Sequence, residues 1–304
     1  MKKVLPLLFA ALVFFATRAG AICAPPQWEV TAGWSTTAPV EYKNFFSPTH
    51  GAPAGYGVYL PPAYALDPAR RFPVLYWLHG GGSNLISVEQ FILFADSAIA
   101  RGAAPPFIIV VPNGPQSMWT DSKPGATPYD APIESVIINE LIPLIDANYR
   151  TMATRAGRGI EGFSMGGRGS SRLGLKHPDL FGLISNLAGA VQGLEFWQSD
   201  RKAGNNYDCV WGADPVYFDA TSPQTHAAAS AAFIQTNPTR IRIVVGVQDL
   251  RNYPVNLEFS NYLLGLGIDN TFVPVNGAKH SYEKIYMVMG DALFSFFAQA
   301  WAGL

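Results

Sequence analysis

The stretch Gly159-Ile160-Glu161-Gly162-Phe163-Ser164-Met165-Gly166-Gly167 joins a short apolar run to a segment with helical spacing that ends at Lys176. It contains the pattern Gly-x-Ser-x-Gly at residues 162–166. Small residues on both sides of the serine allow a turn so sharp that the serine takes strained backbone angles and keeps its hydroxyl exposed. The stretch therefore predicts a strand, a tight turn and a helix, with Ser164 as a candidate nucleophile. A glycine-rich turn that carries an inert serine is the structural alternative.

Similar apolar runs, rich in Val, Ile, Phe and Tyr, recur on both sides of this stretch. Their hydrophobicity is nearly continuous, which is typical of strands covered on both faces. Segments with apolar residues at intervals of three and four lie between them and predict amphipathic helices. Strands that alternate with helices predict an α/β fold with a mostly parallel central sheet and helices on both faces. The predicted strands are residues 57–60, 72–78, 107–111, 159–163, 183–187, 241–245 and 271–275, and the predicted helices are residues 131–148, 165–176, 255–266 and 282–298.

The whole chain has 304 residues, of which 49% are hydrophobic and 14% are charged. This composition excludes an intrinsically disordered chain, and the 29 glycines follow no fixed period, which excludes a collagen-like one. A net charge of −1 without a run of Lys or Arg argues against a nucleic-acid partner. Because no repeat and no long polar linker interrupts them, residues 22–304 are predicted to form a single domain.

Residues 1–21 have the features of an export signal. Lys2 and Lys3 are followed by an apolar run over residues 4–16 and by the small residues Ala19-Gly20-Ala21. The run of about 13 residues is short of the roughly 20 that span a bilayer as a helix, so cleavage is favoured over a membrane anchor. The mature protein is therefore expected to be secreted or periplasmic, with no stable membrane anchor.

The chain contains two cysteines, Cys23 and Cys209. Export leads to an oxidising compartment, where two thiols are more often paired than free. We therefore expect a disulfide between Cys23 and Cys209, with two unpaired thiols as the alternative. Neither cysteine is expected to be catalytic, because the sequence has no Cys-x-x-Cys pair and no Cys/His metal spacing.

A second glycine-rich segment, His79-Gly80-Gly81-Gly82, directly follows the predicted strand 72–78. Residues without side chains let backbone amides approach a reacting carbonyl closely. In hydrolases with the Gly-x-Ser-x-Gly turn, such a loop supplies one donor for a tetrahedral oxyanion, and the amide after the serine, here that of Met165, supplies another. One of the three glycines is expected to serve, and the sequence leaves open which one. A plain tight loop is the alternative, and His79 itself is predicted to be structural.

A serine nucleophile of this kind needs an acid and a histidine that follow it in the order Ser, Asp/Glu, His. Asp249 comes shortly after the predicted strand 241–245, and His280 comes shortly after the predicted strand 271–275. The carboxyl ends of parallel strands meet at one edge of a sheet. We therefore expect His280 to act as the base for Ser164 and Asp249 to orient the imidazole.

Other chemistry-bearing residues are weaker candidates. The alternative acids, Asp214 and Asp219, lie in an irregular segment. Among the other histidines, His50 precedes the serine, His177 ends its predicted helix and His226 lies between predicted strands. Residues 157–162 match Gly-x-Gly-x-x-Gly, but a dinucleotide site needs that pattern after a strand, and here the predicted strand lies inside it. No motif has metal-ligand spacing, so neither a cofactor nor a metal is expected.

Four motifs together resemble one known family. They are Gly162-Phe163-Ser164-Met165-Gly166-Gly167, His177-Pro178-Asp179-Leu180-Phe181, Trp119-Thr120-Asp121 and Glu140-Leu141-Ile142-Pro143. The pattern is similar to that of the esterase family of α/β-hydrolases, which includes esterase D-type enzymes, feruloyl and acetylxylan esterases, siderophore esterases and mycolyltransferases. The resemblance extends from about Tyr56 to His280. It implies the α/β-hydrolase fold, with Ser164, Asp249 and His280 as a catalytic triad. Asp121 is expected to hold its loop, with substrate contact as the alternative.

Residues 191–233 form a long segment between two predicted strands and are rich in aromatic side chains. Long insertions at strand ends often form lids or pocket walls, and an ordinary helix with packed aromatic residues is the alternative. Trp119, Trp197 and Trp211 are the candidate substrate-binding residues.

The resemblance implies a secreted serine esterase that acts on a small-molecule or polysaccharide-linked ester of the feruloyl or acetylxylan type. An acyltransferase that uses the same acyl-enzyme and a catalytically idle binding protein remain alternatives. The predicted signal argues against a cytosolic formylglutathione hydrolase. The protein is taken to be a monomer.

Overall fold

The computed structural model describes residues 23, 28–31, 37–126, 130–199 and 201–304. The predicted export signal, residues 1–21, lies outside the described residues. Among the residues described, no helix is both long and apolar enough to cross a membrane.

One sheet forms the centre of the molecule. Its strands are β1 (Val40–Ser47), β2 (Ala52–Tyr59), β3 (Val74–Leu78), β4 (Ile108–Pro112), β5 (Arg158–Phe163), β6 (Leu183–Leu187), β7 (Arg240–Gly246) and β8 (Thr271–Val275). They lie in the order β1-β2-β4-β3-β5-β6-β7-β8. The β1–β2 and β2–β4 pairs are antiparallel, and the other pairs are parallel. The predicted α/β-hydrolase fold with a mostly parallel sheet is confirmed.

Helices connect the strands and cover the sheet. They are α1 (Ala63–Leu66), α2 (Glu89–Ala100), α3 (Ile133–Val136), α4 (Ile142–Asn148), α5 (Met165–Lys176), α6 (Leu194–Ser199), α7 (Arg201–Trp211), α8 (Pro215–Ala220), α9 (Pro223–Thr236), α10 (Tyr253–Gly265), α11 (Tyr282–Met289) and α12 (Asp291–Trp301). A π-helical turn, Ile137–Leu141, joins α3 to α4 within the predicted helix 131–148. The predicted helix 282–298 is two helices, separated at Gly290, whose φ is +52°.

The two faces of the sheet bury separate apolar clusters. Tyr76 and Leu78 of β3 point into a cluster shared with α5, α9 and α10. Leu75 and Trp77 of the same strand point into a cluster shared with α2, α11 and α12. Because successive side chains of a strand face opposite sides, both sets of residues must be apolar. The double covering explains why the central strands read as continuous hydrophobic runs.

The first strand was not predicted. In β1 buried, half-buried and exposed side chains are mixed, and the strand lies at the edge of the sheet. An edge strand that is covered incompletely has no continuous apolar run. It therefore lacked the pattern by which the other strands were identified.

The long segment between β6 and β7 is helical. It contains α6, α7, α8 and α9. Cys209 of α7 is joined to Cys23, with the two sulfur atoms 1.98 Å apart. This disulfide ties the helical segment to the start of the described chain.

The opposite edge of the sheet is formed by β8. The N–H of Val247 donates to the carbonyl oxygen of Val275 over 3.0 Å. Backbone polar groups of successive strand residues point in opposite directions, so those of Pro274 point away from β7. Pro274 therefore faces the edge on which the described residues place no further strand.

Candidate active site

Ser164 stands in the turn between β5 and α5. Its φ of +58° and ψ of −111° lie outside the regions that L residues favour. Two hydrogen bonds hold the turn: the Ser164 N–H donates to Leu187 O, and the Ala190 N–H donates to Ser164 O, each over 2.9 Å. A Cβ at Gly166 would lie 1.9 Å from Leu78 O, so a side chain does not fit there. The close approach of α5 to β3 thus explains the second glycine of the motif.

The structure brings Ser164, His280 and Asp249 together. Ser164 Oγ lies 2.9 Å from His280 Nε2, and His280 Nδ1 lies 2.6 Å from Asp249 Oδ2. The ring of Phe163 packs against the imidazole, with ring centroids 4.6 Å apart. In this arrangement the imidazole can accept the hydroxyl proton, and the carboxylate can stabilise the imidazolium that results.

Asp249 is 4% exposed, and its neighbours hold it in the charged form. Burial by itself raises the pKa of the carboxyl, but hydrogen bonds from His280 and Asn252 and the attraction of His280 outweigh it and hold that pKa below its ordinary value. An ionised carboxylate accepts hydrogen bonds only, so Asp249 favours the His280 tautomer that carries its proton on Nδ1. The Nε2 atom is then available to accept the proton of Ser164.

Two amide side chains that the sequence analysis missed extend this network. Asn252 Nδ2 lies 3.0 and 3.1 Å from the two carboxylate oxygens of Asp249. Gln192 Nε2 donates to Asn252 Oδ1 over 2.8 Å, which fixes the orientation of the Asn252 amide. Asn252 stands at the N-cap position of α10, but its side chain makes no capping hydrogen bond and is turned to Asp249 instead. Gln192 lies in a loop and, like Asn252, belongs to no motif.

Two residues whose amides are predicted to bind an oxyanion, Met165 and Gly81, lie beside Ser164. Met165 is the first residue of α5, and the first N–H groups of a helix have no partner within the helix. Met165 and Gly81 line one cavity together with the serine. The N–H of Gly82 donates to Gln116 Oε1 over 2.9 Å, so this amide is already engaged. Of the three glycines predicted as oxyanion donors, this leaves Gly80 and Gly81 as candidates, and their role stays a prediction.

This cavity, which we call the large pocket, has a volume of about 400 Å³ and opens on Ser164. Phe196 and Trp197 of α6 contribute aromatic rings to its wall, and Asn206 of α7 contributes an amide. Arg251 also lines it. The segment predicted as a lid or pocket wall therefore contributes side chains to the pocket.

Of the three tryptophans predicted to contact substrate, Trp197 lies on the wall of the large pocket. Trp119 and Trp211 are fully buried, and their Nε1 groups donate to His79 O and Thr221 Oγ1, each over 3.1 Å. The prediction is wrong for these two residues. Aromatic composition does not reveal which way a ring points, and here both rings complete the core behind the site.

The two alternative candidates for the triad acid, Asp214 and Asp219, lie at the start of α8 and within it. Asp214 accepts from two N–H groups at the start of α8 and pairs with Lys123 over 2.7 Å. Asp219 is exposed on the same helix. Asp121 accepts from the N–H and the hydroxyl of Ser135, over 3.1 and 2.6 Å, and so holds its loop.

The other histidines also make their contacts elsewhere. His177 lies 2.8 Å from Glu134, and the ring of His50 stacks on Trp28 with centroids 4.3 Å apart. Burial lowers the pKa of His226 to about 3, so this side chain is neutral. Over the described parts of the chain, no group of three or more His, Cys, Asp or Glu side chains could hold a metal ion.

Known proteins share both sequence and fold with this chain. The family model Esterase, described as "Putative esterase", matches residues 47–258. An endo-1,4-beta-xylanase/feruloyl esterase of Xylanibacter ruminicola is 34% identical over 158 residues, which are 50% of this chain and 22% of that protein. Esterase Rv1288 of Mycobacterium tuberculosis is 34% identical over 149 residues, which are 49% of this chain and 32% of that protein. The matches thus span about a fifth to a third of the length of these relatives.

Solved structures agree at the level of the fold. A ferulic acid esterase is similar with a TM-score of 0.70 and 21% identity, over 86% of this chain and 98% of that one. An S-formylglutathione hydrolase from Agrobacterium tumefaciens is similar with a TM-score of 0.68 and 19% identity, over 88% of this chain and 97% of that one. Since the family model also matches more than half of the chain, the protein belongs to the Esterase family.

Proposed function

We propose that the protein is a serine carboxylic-ester hydrolase that works through an acyl-enzyme. One observation carries the proposal: Ser164 Oγ, the His280 imidazole and the Asp249 carboxylate lie in line at distances of 2.9 and 2.6 Å. Membership of the Esterase family supports the same activity.

In the first half of the reaction Ser164 Oγ attacks the ester carbonyl carbon while its proton passes to His280 Nε2. Asp249 keeps the imidazole oriented and stabilises its positive charge. The negative oxygen of the tetrahedral intermediate accepts hydrogen bonds from the amide of Met165 and from that of Gly80 or Gly81, each worth about 3 kcal/mol. The intermediate collapses when the bond to the alcohol oxygen breaks and His280 gives that oxygen its proton.

In the second half a water molecule replaces the departed alcohol. His280 accepts a proton from the water as the water oxygen attacks the acyl-enzyme carbonyl. Collapse of the second intermediate returns the proton to Ser164 Oγ and releases the carboxylic acid. If an added alcohol took the place of the water, the same acyl-enzyme would pass its acyl group to that alcohol, and the protein would act as an acyltransferase.

For the substrate we propose an ester of the feruloyl or acetylxylan type. The curated relative from Xylanibacter ruminicola is named as a feruloyl esterase, which supports this class. The large pocket combines the rings of Phe196 and Trp197 with the amides of Gln192 and Asn206, a wall suited to an aromatic or sugar group. The predicted export signal over residues 1–21 and the Cys23–Cys209 bond support a secreted or periplasmic location.

Hydrolysis of p-nitrophenyl acetate tests the activity. We expect Ser164→Ala and His280→Ala each to lower kcat by roughly 10⁶-fold, and Asp249→Asn by about 10⁴-fold, with unchanged circular dichroism. Asp214→Asn is the matched control and is expected to retain wild-type kcat, because that carboxylate caps α8. A Ser164→Ala protein that retains its turnover, or an unreactive wild type that a serine-directed organophosphate does not label, would contradict the proposal.

A further inference from the structure

Arg168 of α5 contacts α6, α7 and α8, the three helices that follow β6, which we call the wall helices. Its side chain is fully buried, and its guanidinium carbon lies 5.9, 5.3 and 5.2 Å from the ring centroids of Trp197, Trp211 and Phe218. Each of these rings belongs to a different wall helix. Cations are attracted to the faces of aromatic rings, most strongly where water is excluded. One guanidinium therefore holds all three wall helices.

The same rings form a row that ends at the large pocket. Trp211 lies between Phe218 and Trp197, with ring centroids 4.9 and 5.4 Å apart. The ring of Trp197 in turn lies 5.2 Å from that of Phe196. Trp197 and Phe196 line the large pocket. The position of the guanidinium thus affects the position of both rings in the pocket wall.

Arg168 is also bound to the turn that carries the nucleophile. Its backbone N–H donates to Ser164 O, one helical turn earlier, over 3.0 Å. Its Nη1 donates to Ala190 O over 3.3 Å, and the Ala190 N–H donates to the same Ser164 O over 2.9 Å. Arg168 therefore links the wall helices to the backbone of Ser164.

Packing alone does not explain an arginine at this position. Among the described residues, Nε and Nη2 of Arg168 have no hydrogen-bond partner, and no carboxylate pairs with the guanidinium. A buried charge without a counter-charge costs folding free energy, so an apolar side chain would fill the same space at lower cost. Natural proteins depart from such rules mainly at functional sites.

We propose that Arg168 is a positioning residue that fixes the rings of Phe196 and Trp197 at the distance from Ser164 that a bulky ester requires. Because Arg168 is fully buried, it acts on the substrate through these two rings. A small ester that does not extend to the rings should be cleaved without this contribution. The inference rests on the esterase activity proposed above.

Three esters test this role. Methyl ferulate carries an aromatic ring in its acyl half, benzyl acetate carries one in its alcohol half, and methyl acetate carries none. The kcat/KM of each aromatic ester is divided by that of methyl acetate, so that effects of a variant on the triad cancel. Phe196→Leu changes the pocket wall directly and identifies the ratio that reports on the large pocket. We expect Arg168→Met to lower the same ratio about tenfold, mainly through the KM of the aromatic ester.

Arg242→Met is the matched control. Arg242 is also a buried arginine, and its guanidinium carbon lies 4.4 and 4.9 Å from the rings of Phe296 and Phe297, which belong to α12 on the other face of the sheet. Its loss should lower stability, because Glu161 loses this partner, and should leave both ratios as in the wild type. If Arg168→Met leaves both ratios within about twofold of the wild type, or if Arg242→Met lowers the same ratio equally, the inference is overturned.

Amide hydrogen exchange provides a second measurement that needs no turnover. Arg168→Met should speed exchange in α6 and α8 and leave α12 unchanged, whereas Arg242→Met should speed exchange in α12. A wild type that cleaves none of the three esters would overturn the proposed activity, and exchange would then decide on Arg168 by itself. Unchanged exchange in α6 and α8 would show that Arg168 does not hold the wall helices.

Discussion

Asn252 holds the acid of the site in place by donating from its amide to the Asp249 carboxylate. Its Nδ2 lies 3.0 Å from His280 Nδ1 and within 3.1 Å of both carboxylate oxygens of Asp249. It therefore limits rotation of the carboxylate about its Cβ–Cγ bond. Asn252 also lines the large pocket, but through Asp249 its main effect is expected on the chemical step.

We expect Asn252→Ala to lower kcat for p-nitrophenyl acetate by about tenfold, since the loss of a hydrogen bond to a charged group costs roughly 1.5–3 kcal/mol and Asp249 keeps its bond to His280. Saturation kinetics that resolve kcat from KM provide the measurement. A wild-type kcat in this variant would show that His280 alone is sufficient to hold the carboxylate.

His79 is a buried histidine whose burial disfavours the protonated form. Burial lowers its pKa to about 4, although the carbonyl oxygens of Gly80 and Gly114 lie 2.9 and 3.1 Å from its ring nitrogens and act in the opposite direction. In the unfolded chain a histidine has a pKa of about 6.5. Between about pH 4 and pH 6.5 the unfolded chain therefore binds the additional proton, and the folded protein loses stability as the pH falls.

We expect His79→Gln to reduce the slope of the unfolding free energy against pH by about 1.4 kcal/mol per pH unit between pH 4.5 and 6. Urea denaturation at several pH values measures this slope. His226, whose pKa is also lowered, contributes equally in both proteins and cancels in the comparison. An unchanged slope would mean that His79 takes up its proton in the folded protein.

The residues that could be identified from the sequence were those for which residue type and position in the predicted fold together allow few candidates. A serine between glycines, and an aspartate and a histidine shortly after later strands, have few competitors in this chain. Amide side chains such as Asn252, Gln192 and Gln116 have no motif, because asparagine and glutamine serve many structural purposes. Trp197 lines the large pocket and Trp119 does not, and this difference follows from packing between distant segments.

At the scale of elements, α5 carries two buried arginines with different partners. Arg172 pairs with the carboxylate of Glu134. The Arg168 guanidinium lies 5.3 and 5.2 Å from the ring centroids of Trp211 and Phe218, and it donates to Ala190 O over 3.3 Å. Burial lowers the pKa of Arg168 to about 9, and the charge of Arg172 adds to this effect. No carboxylate of the described residues pairs with Arg168.

We expect Arg168→Met to change the free energy of unfolding by less than about 1 kcal/mol, because the loss of its aromatic contacts is offset by the removal of a buried charge. The matched variant Arg172→Met should lose more, about 3 kcal/mol, because Lys176 and His177 alone then hold the buried Glu134 carboxylate, and the carbonyl oxygens of Thr221 and Trp119 lose a donor. Urea denaturation followed by circular dichroism compares them. Equal losses of unfolding free energy in the two variants would show that the rings of Trp211 and Phe218 stabilise Arg168 as strongly as an ion pair stabilises Arg172.

The helices and strands that could be predicted were those whose apolar residues follow one clear pattern along the sequence. Strands buried on both faces were found within one or two residues at most ends, and α5 was found at both ends. Strand β1 was missed because it is partly exposed, and α6 to α9 were not separated because tertiary packing, not periodicity, divides them. The break at Gly290 needs a positive φ that the flanking apolar pattern conceals.

At the scale of the whole molecule, the Cys23–Cys209 disulfide closes a loop with a sequence separation of 186 residues. Cross-links over long loops restrict the unfolded chain strongly, and typical native disulfides contribute about 2–4 kcal/mol. The bond also anchors α7, which brings Asn206 to the large pocket. Its loss should therefore affect both stability and substrate affinity.

We expect the double variant Cys23→Ser/Cys209→Ser to lose about 2–4 kcal/mol of unfolding free energy and to show a higher KM for bulky esters. A reducing agent should lower the Tm of the wild type to that of the double variant and leave the double variant unchanged. Equal Tm values for the oxidised wild type and the double variant would contradict this expectation.

Pro274 affects how copies of the protein meet at high concentration. A strand from another molecule laid along β8 would find no donor at Pro274, so an intermolecular ladder would be interrupted in the middle of a strand of five residues. Edge-to-edge growth into fibrils or amorphous aggregates is thereby hindered on this side of the sheet. The protein carries its own protection against self-association at the end of the sheet that β8 forms.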